Sequence, residues 1–126
     1  MRNIILIISI ILVSTFCHAQ EWNKVIMVNF IEFKNGGWVD GDSHYPDNYF
    51  IKLNGSEVIV KAKEINRYMT YGNSSEAKYD THIAYSWKAI DDKGDNCTFI
   101  MKKFYNDGTT IYMITYQSAG VEFYIK

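Results

Sequence analysis

The chain has 126 residues, with 13 lysines and arginines against 14 aspartates and glutamates, a formal charge of −1, and 48% hydrophobic content. That balance excludes a disordered, highly charged chain, and scattered lysines with one adjacent basic pair, Lys102-Lys103, leave no nucleic-acid footprint.

Residues 1–19 have the form of an export signal. Arg2 supplies the positive start, Ile4 to Val13 is an almost unbroken apolar run, and Cys17-His18-Ala19 offers small residues before Gln20. Ten apolar residues fall short of the roughly 20 that a spanning helix needs, so the expectation is cleavage after Ala19 and no membrane insertion afterwards. A lipoprotein signal carries a small residue before its cysteine, whereas Phe16 precedes Cys17 here. Residues 20–126 are then expected as one exported domain, periplasmic or extracellular, with Cys97 as its one cysteine, a small buried apolar residue. A domain of that size buries about 60 to 70% of its unfolded surface and needs no disulfide to fold.

The first strand, 24–34, is apolar on both faces: Val25, Met27, Ile31 and Phe33 against Ile26, Val28 and Phe30. Such a pattern predicts a strand covered on both sides, or one that bends between packing layers. Asn35-Gly36-Gly37 ends it. Over three residues only, and after the first strand instead of before it, Gly36-Gly37-Trp38 resembles the Gly-x-Trp that opens lipocalins, whose tryptophan closes the base of an eight-stranded barrel. Residues 38–47 are expected as a loop with Pro46 fixing a turn. Within it Asp40, Asp42 and Asp47 offer oxygen ligands and His44 a nitrogen, a weak metal candidate without the glycine and glutamate of a complete calcium loop.

Strands at 49–53 and 57–63 flank Asn54-Gly55, the strongest short hairpin signal, 67–71 is a short strand or irregular edge, and 72–76 is expected as a loop. Four further strands follow at 81–90, 97–105, 109–117 and 120–126, joined by turn-rich stretches at 91–96, 106–108 and 118–120. In the first of these Ile83, Tyr85, Trp87 and Ala89 alternate with Ala84, Ser86 and Lys88, the period of a half-buried strand. No window of the mature chain has a helical period. The fold class is therefore all-β, about eight antiparallel strands in meander order, either a small up-and-down barrel of calycin type or a two-sheet sandwich.

Nothing in the sequence announces catalysis. His82 and Ser86 share a strand face with Asp80 nearby, but four residues of strand span about 13 Å, far beyond contact between nucleophile and base. No phosphate loop, dinucleotide fingerprint or Cys-x-x-Cys occurs, and no cofactor is expected. The distinctive feature is aromatic: the chain holds 10 tyrosines, 7 phenylalanines and 3 tryptophans. Their placement hangs on the turn at Asn106-Asp107-Gly108. A type I turn with Gly108 as bulge residue pairs Met101 with Met113, and a two-residue turn pairs Met101 with Ile114; the first separates apolar from polar more cleanly. On that register Ile100, Phe104, Tyr112, Ile114, Tyr116 and Tyr124 form a second wall, expected to contact a partner. The functional expectation is non-covalent binding, foremost of a protein partner in the manner of an inhibitor or immunity factor. The alternatives are a barrel holding a small apolar ligand in a central cavity, and a hydrolase or metal-dependent enzyme.

Overall fold

The computed structural model describes residues 22–125, so the expected signal segment and Lys126 lie outside the described residues. Nine strands follow in order: β1 (Asn23–Lys34), β2 (Gly37–His44), β3 (Phe50–Asn54), β4 (Glu57–Lys61), β5 (Ile65–Lys78), β6 (His82–Asp91), β7 (Asn96–Phe104), β8 (Thr110–Thr115) and β9 (Ala119–Ile125). Every pairing is antiparallel, and β3 to β9 form a continuous meander. Strand β1 closes it into an eight-stranded barrel by pairing β9 along most of its length and β3 through Asn23 and Lys24. The ninth strand, β2, lies outside that ring and pairs with β1 alone. Between the barrel and sandwich alternatives the chain is thus a barrel, with one strand more than its sequence predicts.

Strand β2 falls where a loop is expected. Asn35 and Gly36 have φ of 52° and 80°, and Lys34 faces Gly37 across them, so this Asn-Gly pair is a two-residue turn of the type I′ kind. The acidic, glycine-bearing composition of 38–47 hides the strand that the turn launches. A part-buried network, anchored on buried Asn29 and Glu122, replaces the missing hydrophobic pattern. Asn29 Nδ2 donates to Glu122 Oε1 at 2.8 Å and to Asp40 Oδ1 at 3.1 Å, while Ser43 Oγ donates to Asn29 Oδ1 at 2.7 Å. At the expected Asn54-Gly55 hairpin the pairing of Asn54 with Glu57 makes Gly55-Ser56 the central pair, with positive φ at Gly55 only.

The two-sided apolar pattern of β1 has a local cause. Val25 pairs with Ile125 and Met27 with Tyr124, so one extra residue bulges between them and bends the strand. Val25 and Val28 therefore both point into the barrel, joined there by Ile51, Val58, Val60, Ala89, Cys97, Phe99, Tyr112, Ile114, Phe123 and Ile125. Trp87 and Met101 pack against this cluster. Rings of Tyr85, Trp87, Phe99 and Tyr112 follow one another at centroid spacings of 6.3, 5.6 and 5.7 Å. An eight-stranded barrel is just wide enough for side chains to fill, and these fill it.

The turn between β7 and β8 matches neither expected register. Phe104 N donates to Thr109 O, Lys103 pairs with Thr110 and Met101 with Tyr112, leaving a four-residue loop, 105–108, with Gly108 at φ 69°. One residue of slip moves every side chain of a strand to the other face. Tyr112 and Ile114 consequently join Phe99 and Met101 inside, while Ile111 and Met113 go outside.

Candidate functional site

Cross-strand pairing turns the outer wall into rows. One runs Ser75, Ser86, Ile100, Met113, Glu122, Asn29 and Ser43 across seven strands; the next runs Ala77, Ala84, Lys102, Ile111, Tyr124 and Met27. Ile31, Ile111 and Met113 are buried on this wall and pack with Ile100, Phe104 and Tyr124. Three members of the expected contact surface, Ile100, Phe104 and Tyr124, are thereby brought together. The other three are not: Tyr112 and Ile114 lie in the barrel core, and Tyr116 sits at the end of the barrel with its hydroxyl donating to Asp91 Oδ2 at 2.6 Å.

Along β6 the wall is hollow, because Ala84 and Ser86 face Ala77 and Ser75 of β5 and none of the four has bulk. A depression of about 440 Å³ results, bordered also by Tyr79, His82, Ile100 and Lys102. Gly72, at φ 74°, begins a bulge in β5 where residues 72–74 oppose Trp87 alone, between the pairs Tyr71–Lys88 and Ser75–Ser86. The bulge borders a second depression of about 410 Å³, which shares Ser75 and Ser86 with the first. A third, of about 380 Å³, shares Tyr71, Lys88 and Thr98 with the second and ends at Tyr116. The three together make one groove that follows β6. At its head His82 is half-buried between Tyr79 at 4.7 Å and Phe104 at 4.8 Å, and its Nδ1 is hydrogen-bonded to Thr81 Oγ1 at 2.9 Å. The sequence contains a signal for this groove, the run of small residues on alternate positions of β5 and β6, but small side chains on a strand face look the same whether the face is open or covered.

At the other end of the barrel, ionisation is shifted by burial and by the 91–95 turn. Asp91 Oδ1 accepts from the backbone N–H of Lys93 and of Asp95, and the Tyr116 hydroxyl, then these amides, hold its carboxyl below the usual range. Burial pushes Tyr68 up to about 12 and the Cys97 thiol up to about 11, so Cys97 stays protonated near neutrality. Tyr116 is raised by burial and by its bond to Asp91, and Tyr124 by burial and the nearby Glu122 and Asp40.

The weak metal candidates are spread along and beyond β2. Asp40 accepts from Asn29, and His44 contacts the rings of Phe30 at 5.9 Å and Tyr49 at 5.8 Å. Among the described residues no three His, Cys, Asp or Glu side chains, Asp42 and Asp47 included, gather in a way that would hold a metal ion. Trp38, which carries the lipocalin resemblance, is 42% exposed on β2 and packs edge-on against Phe33 at 5.3 Å, outside the closed ring. No protein-family model, curated protein or solved structure gives a significant match to the chain.

Proposed function

We propose that this is an exported, non-catalytic binding protein that holds a partner protein in the groove along β6. The observation that carries the reading is the groove itself, a continuous hollow over small side chains beside a barrel whose interior is already filled. A filled interior favours the wall over a central cavity as the contact region. With Tyr71, Tyr79 and Ile100 among small and polar side chains on its border, the hollow suits anchor residues of a partner, which concentrate binding energy in desolvated pockets. His82 and Ser86 lie four residues apart on one strand, and the His82 ring is taken up by Tyr79 and Phe104, an arrangement that favours binding over hydrolysis.

A photo-crosslinking residue at Ala84, compared with one at exposed Lys61 on β4, tests this in the exported fraction of the native host. One discrete protein adduct is expected from position 84 and none from 61, and Ser86→Trp, which fills the hollow, should remove it. Equal labelling from both positions, or an adduct indifferent to Ser86→Trp, would show that the groove is not the contact surface.

A further inference from the structure

We infer that the partner segment held in this groove is an extended, acidic strand with carboxylates four residues apart; the inference rests on the groove being the contact surface. The charge on the strands that floor it is of one sign. On the outer faces of β6, β7 and β8 the lysines that border the groove are Lys88 and Lys102, and no aspartate or glutamate shares that face. Glu76 touches the rim but pairs with Tyr85, on the opposite side of the sheet. Among the described residues the ion pairs are Lys34–Glu32 and Arg67–Glu57, and neither groove lysine has a carboxylate partner among them. Lys102 is half-buried in that state, beside Ile100 and Ala84. A lysine drawn partly out of water without a counter-charge marks a place where an anion gains more than at the open surface.

Spacing then selects the geometry. Lys102 of β7 lies across from Ala84 and Lys88 of β6 across from Thr98, so their backbone positions, on neighbouring strands, are offset by four residues along the strand direction, about 13 Å. An extended polypeptide repeats its side-chain direction every second residue, and residues i and i+4 therefore meet both lysines from one face. The floor of Ala84 and Ser86 lets a backbone approach closely. An anionic glycan is the weaker fit, because the floor along β6 is Ala84 and Ser86 and the His82 ring at the head is already in contact with Tyr79 and Phe104.

The protein purified after export can be titrated, with NMR readout, against a peptide containing Glu-Thr-Val-Thr-Glu. Parallel titrations use its Gln-Thr-Val-Thr-Gln analogue, a version with glutamates two apart, and an oligogalacturonate. Shifts at Ala84, Ser86 and Lys102 are expected with the first peptide. Lys88→Gln and Lys102→Gln should each weaken it about tenfold, with unchanged melting, and Lys102→Arg should largely restore it. Equal binding of the glutamine analogue, equal binding of the closer-spaced glutamates, binding of the glycan alone, or no loss in the lysine variants would overturn the inference. The Ala84 adduct separates the two readings. If it forms and survives in Lys88→Gln/Lys102→Gln, the groove still binds a protein but not an acidic one; if it never forms, the contact surface itself is wrong.

Discussion

Phe99 and Tyr112 show how much rests on single side chains. Phe99 is 2% exposed and touches the rings of Trp87 and Tyr112, so Phe99→Ala removes the middle of the interior aromatic run. A loss of about 3 to 5 kcal/mol in urea unfolding is expected. Tyr112 carries a sharper test, since the register favoured from sequence puts it on the second wall, where truncation is nearly neutral, and the observed register buries it at 7% exposure. Tyr112→Ala should cost at least about 2 kcal/mol, well above the roughly 0.5 kcal/mol of an ordinary surface change. A near-neutral result would return Tyr112 to the outer wall and with it the contact surface expected from sequence.

At the scale of elements, closure depends on places where β1 and β9 approach without side chains between them. A Cβ added to Gly120 would lie 3.0 Å from the Ile114 carbonyl oxygen and 3.1 Å from side-chain carbons of Ile31 and Thr115. Backbone on one side and a buried isoleucine on the other leave little room to yield. Gly120→Ala is therefore expected to overpack the β1–β9–β8 junction and to lower stability by about 1 to 3 kcal/mol. An unchanged melting temperature would mean that the junction is looser than its geometry. The hairpins teach a related lesson. Asn35-Gly36 is a strand-to-strand turn whose meaning was legible in the dipeptide, yet it is obscured by the aspartates that follow; the 105–108 loop is one residue longer than the bulged turn that best sorts polar from apolar.

For the whole molecule, the filled barrel makes stability sensitive to alkali. Tyr68, Cys97, Tyr112, Tyr116 and Tyr124 all hold their protons more tightly in the fold, burial being the first cause for each. In the unfolded chain the thiol ionises near 9.0 and the phenols near 10.0, before their folded counterparts, at about 11 for Cys97 and about 12 for Tyr68. The unfolded state thus releases protons first, and stability present in full below about pH 9 declines as pH rises through that range toward 12. Thermal melts across this window should fall steadily, with part of the tyrosinate absorbance appearing only on unfolding. Full ionisation of every tyrosine in a still-folded protein would contradict the burial of these rings.

Sequence alone determined the all-β class, the meander from residue 49 onward and the inward side of β6, where Trp87 and Ala89 pack against or within the barrel core. These follow from period and turn chemistry, which act between near neighbours. Tertiary structure decided the rest: β2 as a strand, β5 continuing through 72–76 where a loop is expected, the bulge that turns both Val25 and Val28 inward, closure through β1, and the register that sends Tyr112 inside and Met113 out. Each of these depends on which backbone groups meet across the barrel. A two-residue period is unchanged by a slip of one residue, so only the packing of distant strands could choose the side on which the core, and hence the groove, would lie.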